Sequence, residues 1–333
     1  MTERVATTPG VYPLPDWAKD DLSDLKGHQK EDLISGDESE DVTAIYEETR
    51  AEVVEAQQTA GLDRIVEGQL RWDDMLAHPL TVHDNVETRG IVRYYDNNNF
   101  YRDPVVTGDL DFDGDVADEL ASAAELTGSD SLQAVLPGPY SLADLATDEH
   151  YGDDETFLAA VGEFLAGEAE AFPDVETLFL LEPSLVENPP GDGEDAHASE
   201  AIDAVASATD ADVVVQSYWG SLDEKVHAHL LDADVDAVGY DLVADHEGAV
   251  ENVNEYGTKD SVALGLVDGQ NTRVESPETI TERVEWFEEQ TPVNEFETVY
   301  LTSNTELFYL PYAKFEAKLA ALGEAARLQE VEA

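Results

Sequence analysis

The chain has 333 residues, 76 of them acidic and 17 basic, for a formal net charge of −59, and it contains no cysteine. That balance argues against nucleic acid or an anionic membrane as partner, since no lysine or arginine cluster exists to displace counterions. The missing thiols exclude disulfides, a cysteine nucleophile and any cysteine-bearing zinc site.

Short apolar runs alternate with longer stretches of helical period, the pattern of βα repeats. In chain order the runs predict eight strands, at residues 5–11, 62–68, 132–136, 176–182, 212–216, 235–241, 262–267 and 298–302. Helices are predicted at 41–60, 116–127, 154–170, 198–208, 222–231, 247–256, 277–289 and 313–328. The seventh opens on Ser276-Pro277, a cap residue followed by proline at the first helical position. The alternation breaks between Trp72 and Leu110, where residues 88–96 read with their flanks as an extended pair inserted after the second strand. Residues 186–198, with Pro189-Pro190-Gly191, read as a long loop or lid over one end of the fold. No internal stretch has linker composition. The expectation is an α/β fold: a single (β/α)8 TIM-type barrel domain over residues 1–333, with a β-hairpin-like insert at about 72–110.

Acidic residues recur in every segment beside apolar runs such as Val213-Val214-Val215, which a disordered acidic tail would lack. Their repulsion opposes compaction in dilute buffer, but at molar salt the screening length falls to about 3 Å. The composition therefore points to a halophilic, cytoplasmic protein. No run approaches the length of a membrane span, and the N-terminus has no apolar signal core.

In such barrels, polar residues at the strand C-terminal ends line the working site. Those ends offer Tyr12, Glu67, Tyr140, Glu182, Gln216, Tyr218, Asp241, Asp268, Asn271, Asn304 and Glu306. The set suits an amine, a cation or a metal better than a phosphate, and each member taken singly suits a helix cap equally well. Glu182, Asp241 and Glu67 are the candidate acid/base residues. Tyr12, Tyr140, Gln216, Tyr218, Asn271 and Asn304 are the candidate substrate contacts. If the three acids project into one mouth, mutual repulsion should raise a pKa there. The turn from Leu136 to Tyr140 should present backbone N–H groups to a ligand, or serve only as a rigid corner. His227 and His229 lie two apart on a predicted helix and face different ways.

Several of these strand ends carry motifs. Thr8-Pro9-Gly10-Val11-Tyr12-Pro13, Leu136-Pro137-Gly138-Pro139, Leu180-Leu181-Glu182-Pro183-Ser184-Leu185 and the run 262–271 (VALGLVDGQN) occur in this order. The set resembles the strand ends of the cobalamin-independent methionine synthase family along nearly the whole chain. The resemblance implies methyl transfer from a 5-methyltetrahydropteroyl-glutamate type donor to homocysteine. Enzymes of this family have two barrels: a C-terminal one with a zinc site of H-x-C, a glutamate and a late cysteine, and a zinc-free N-terminal one. The stretches 94–104 (YYDNNNFYRDP) and 217–221 (SYWGS) are similar to the zinc-free barrel. At the positions of the zinc ligands the chain has Gln216, Tyr218, Asp241 and the segment from Ser303 to Glu306. Leu181 stands where an aspartate would hold the homocysteine amine, leaving Glu182 of that pair. The resemblance thus implies a chain that binds no zinc itself and works beside a second barrel that carries it, with strand-end carboxylates and the insert at 97–102 meeting the donor or the partner. The alternatives are a non-catalytic structural partner, or an independent acid/base enzyme of the same barrel superfamily.

Overall fold

Strands buried on both faces read as continuous apolar runs, and Leu178-Phe179-Leu180-Leu181 and Val213-Val214-Val215 are such runs. The computed structural model, which describes residues 2–24, 38–95, 101–128, 131–191 and 193–328, makes strands of both. Eight parallel strands form one curled sheet. Its order is β1 (Glu3–Ala6), β11 (Thr298–Ser303), β10 (Ser261–Val267), β9 (Ala237–Asp241), β8 (Asp212–Gln216), β7 (Thr177–Leu181), β5 (Leu132–Pro137) and β2 (Ile65–Val66). The two end strands meet through backbone bonds from Asp63 N–H to Ala6 O at 2.9 Å and from Tyr12 N–H to Gly68 O at 2.8 Å, which close the barrel. Helices pack around it, as in a (β/α)8 barrel.

The register identifies the inner face. The Tyr300 and Phe179 rings lie 6.1 Å apart although their strands are not neighbours, so they touch across the interior. In a parallel ladder, paired residues point the same way. The pairings Leu181↔Gln216, Gln216↔Gly239, Asp241↔Gly265 and Gly265↔Thr302 therefore put all these positions on the inner face, at the C-terminal end. Val66 pairs with Gln133 on that face, so Glu67 turns outward.

The insert after β2 is present. It consists of β3 (Val86–Val92) antiparallel to β4 (Tyr101–Val106), extended by β6 (Thr147–Asp148). Of the expected extended stretch 88–96 only Thr88 to Val92 is strand, and residues 96–100 lie outside the described residues.

The first two strands are shorter than their apolar runs. Gly10 and Val11 at φ 76° and 53°, and Gly68 and Gln69 at φ 105° and 52°, turn the chain out of extended geometry. The expected lid at 186–198 is a correction: helices Ser184–Glu187 and Glu194–Ala206 take up both of its ends. Helices Asp16–Asp24 and Pro139–Leu145 were not anticipated. No helix among the described residues is long and apolar enough to cross a membrane.

Candidate functional site

Pro137-Gly138-Pro139 ends β5 and starts helix Pro139–Leu145 with proline in its first turn. The first N–H groups of a helix have no partner within it. Here Glu182, just past β7, supplies one: it accepts from Tyr140 N–H at 3.0 Å, Ser141 N–H at 2.8 Å and the Ser141 hydroxyl at 2.6 Å. Burial pushes the Glu182 carboxyl up to about 7, and the Ser141 hydroxyl and the two N–H groups pull it back. The backbone donors expected to await a ligand are therefore already satisfied from within the chain. The Tyr140 phenol points to the rim, where it donates to Asn188 O at 2.7 Å.

Asp241 ends β9 and ties the neighbouring strand ends together. It accepts from Trp219 N–H at 2.9 Å, Val243 N–H at 2.9 Å, Ala244 N–H at 2.8 Å and Asn304 Nδ2 at 3.0 Å. Asn304 in turn accepts from Gly269 N–H at 3.0 Å, which brings in the end of β10. Burial raises the Asp241 carboxyl against these four donors. Trp219 is held at φ 64°, a left-handed conformation unusual for a bulky residue. Near this hub Gln216, Tyr218 and Glu306 are fully buried, and burial pushes the Glu306 carboxyl up to about 7.

Aromatic side chains cover these groups. Tyr95, from the insert, packs edge-on against Trp219 with ring centroids 5.0 Å apart. Its hydroxyl bonds Ser184 Oγ at 2.8 Å, and Ser184 donates to Asp144 at 2.7 Å. The insert is thus fastened to the rim through Tyr95. Tyr95, Trp219, Ser141 and Ser184 were not among the sequence candidates; the aromatic pair Tyr94-Tyr95 and the run QSYWGS were the available signals.

Other candidates lie elsewhere. Glu67 is buried between the barrel and its helices, where it meets Arg50 at 3.1 Å and Gln69 N–H at 2.6 Å. Arg50 also pairs with Glu119, which meets Arg71 at 3.0 Å, so Glu67 belongs to an ion network tying two helices to the end of β2. Burial raises its carboxyl and Arg50 opposes the rise. Tyr12 faces the helix layer, bonding Thr8 Oγ1 at 2.5 Å and resting on Phe315 with centroids 4.5 Å apart. Asn271 is exposed and accepts from Arg273 N–H at 3.0 Å, and Asp268 accepts from Gln270 N–H at 3.0 Å. The expected cluster of Glu67, Glu182 and Asp241 is a correction. In each the leading cause of the raised pKa is burial and not a neighbouring acid, and Glu67 faces away from the barrel interior.

The residues that the resemblance places at the zinc-ligand positions do not fit zinc. Catalytic zinc sites take three protein ligands, commonly sulfur or imidazole with carboxylate. Gln216 and Tyr218 offer an amide and a phenol, the Asp241 carboxylate already accepts from four donors, and the Ser303 hydroxyl donates to Thr305 O at 2.7 Å. Among the described residues no group of three or more His, Cys, Asp or Glu is arranged to hold a metal.

Known proteins agree with this architecture. The chain is 22% identical over 278 residues to a methionine synthase of Saccharolobus solfataricus, covering 82% of this chain and 80% of that protein. It is 22% identical over 290 residues to one from Sulfolobus acidocaldarius, covering 85% and 81%. A B12-independent methionine synthase from Shewanella sp. W3-18-1, solved in complex with selenomethionine, has the same fold, with a TM-score of 0.81 at 17% identity over 98% of both chains. A putative vitamin-B12-independent methionine synthase from Listeria monocytogenes superposes with a TM-score of 0.71 at 18% identity over 99% of this chain and 98% of that one. The profile of the cobalamin-independent synthase catalytic domain matches residues 6–302, and the chain therefore belongs to the cobalamin-independent synthase family.

Proposed function

We propose that this chain serves methionine biosynthesis by methyl transfer from a 5-methyltetrahydropteroyl-glutamate type donor to homocysteine, as a zinc-free barrel beside a second barrel that carries the zinc. Family membership supports the reaction class. The zinc-free role rests on one observation, the donor set at the ends of β8, β9 and β11. Asp241 there accepts from Trp219, Val243, Ala244 and Asn304, and Gln216 and Tyr218 supply neither sulfur nor imidazole.

The reaction moves a methyl group from nitrogen to sulfur, and the thiol proton leaves for the pterin. A zinc-bound thiol is deprotonated outright, which makes its sulfur a competent nucleophile. Glu182 and Asp241 do not replace that function, since both carboxyls are buried and hydrogen-bonded within the chain, and Glu306 is fully buried. What the chain retains is a rigid mouth with an aromatic cover, suited to holding a pteridine-type ring or the face of a partner. The test is methionine formation from homocysteine and the methyl donor by this chain, by a barrel bearing H-x-C and a late cysteine, and by both together. Turnover needing both chains is the expected result. Full turnover by this chain alone overturns the proposal, and unchanged turnover of the partner when this chain is added reduces it to a structural or unrelated role.

A further inference from the structure

An unpaired sheet edge offers a row of free N–H and C=O groups, and folded proteins close, shorten or blunt such edges. The barrel closes on itself and β6 is two residues long, so among the described residues the long open edge is the outer side of β3. None of the seven residues of β3 is buried, and Ile91 is 74% exposed.

The ladder with β4 determines which groups face outward. Residues of an antiparallel pair alternate between hydrogen-bonded and non-hydrogen-bonded positions. Thr88 stands opposite Pro104, which has no N–H, and Thr107 N–H donates to Asn85 O at 2.9 Å. Positions 85, 87 and 89 therefore bond β4. The N–H and C=O of Thr88 point away from it, and planar peptides turn Val86 O and Gly90 N–H the same way. A strand laid antiparallel along this edge must meet Thr88 at a hydrogen-bonded position.

The charge here is unlike that of the chain as a whole. Residues 86–95 and 101–106 carry three arginines against two acidic residues, in a chain of net charge −59. Two chains this acidic repel one another over their surfaces at large, and a face where the charges cancel is where they can meet.

We propose that the outer edge of β3 pairs with the same edge of a second copy of this chain, about a two-fold axis at Thr88. Charge selects that register. Centring the pair on Glu87 sets Glu87 against itself, and centring it on Arg89 sets Arg89 against itself. Centring it on Thr88 sets Glu87 opposite Arg89 of the second copy, twice, at non-hydrogen-bonded positions where side chains lie closest. Glu87 and Arg89 thus choose a register instead of blocking the edge. The pairing exchanges Thr88 N–H and C=O bonds and adds Gly90 N–H to Val86 O from each side. It joins two three-stranded sheets into one of six through an isologous contact. The register shift after Arg89 and Gly90 at φ 62° end it. This inference is independent of the methyl-transfer reading.

The test is the mass of the full chain in solution, by light scattering and sedimentation over a concentration series. The salt is held at about 3 M potassium chloride, where repulsion between chains is screened. The wild type should show a monomer–dimer equilibrium. Thr88→Pro removes the outward N–H and spares the bonds to β4, so it should stay monomeric with the Tm of a wild-type monomer. Glu87→Arg sets like charges opposite each other and should weaken the dimer about tenfold or more. Combining Glu87→Arg with Arg89→Glu restores opposite charges and should restore the dimer, an arm that stands even if Thr88→Pro folds poorly. A monomer at every concentration overturns the proposal. So does a dimer that survives Thr88→Pro in a folded protein, or one indifferent to Glu87→Arg, since either places the contact elsewhere.

Discussion

The carboxyl group of Glu182 occupies the space that a side chain on Gly138 would need: a Cβ built there overlaps the Glu182 carboxyl carbon and one of its oxygens. Gly138 is not at a positive φ, so its need for glycine comes from this approach and not from backbone strain. The two positions form one device, a glycine that admits the carboxylate and a carboxylate that caps the helix beginning at Pro139.

Gly138→Ala should therefore destabilise the fold by about 1–3 kcal/mol through overpacking. Adding Glu182→Ala removes the obstruction, so the double variant should be less damaged than the sum of the two single variants. Urea unfolding of the four proteins measures the coupling. A Gly138→Ala protein as stable as wild type would show that the carboxylate does not sit there.

Glu182 also predicts a pH dependence. Its folded pKa lies at about 7 against an ordinary value of 4.5, so the folded state holds the proton more tightly than the unfolded one. The stability this confers is complete below the unfolded pKa and is lost as pH rises through about 7. From about pH 5.5 to about pH 8.5 the wild type should lose roughly 2–3 kcal/mol more than Glu182→Gln. Parallel stability curves for the two proteins would contradict the assignment.

Asp241 should be the costliest of the mouth residues to remove. Asp241→Ala leaves the N–H groups of Trp219, Val243 and Ala244 and the Asn304 amide without an acceptor. Such losses cost about 3 kcal/mol or more together. Asp241→Asn keeps one acceptor oxygen and should cost less. Equal melting temperatures for the two variants would remove Asp241 from its place as the hub.

Eight β/α units and an insert after the second strand could be read from the sequence, because apolar runs and helical periods depend on local pattern. The strand ends were harder. The run at 5–11 looks extended, but Gly10 and Val11 turn out of the strand, and backbone dihedrals leave little trace in an apolar run. Glu67 shows the same limit at the site. Its outward direction follows from Val66 facing Gln133, and a register is a relation between distant segments. Glu182 was found because a carboxylate after a fully apolar strand stands out. Its partner Ser141 was missed because nothing local ties residue 141 to residue 182.

The surface makes a separate prediction. With 76 acidic and 17 basic residues, repulsion should loosen the fold at low ionic strength. Melting temperature should rise steeply between about 0.1 M and about 3 M potassium chloride as the screening length shrinks. A melt nearly independent of salt would contradict the reading of a halophilic protein.

We propose that the donor set at the ends of β8, β9 and β11 holds no zinc. Elemental analysis of the chain, purified without chelator and dialysed against buffer containing zinc and then against zinc-free buffer, addresses it directly. The account predicts zinc far below one per chain, unchanged by Asp241→Ala. One tightly held zinc per chain, lost on substituting Asp241, would contradict it.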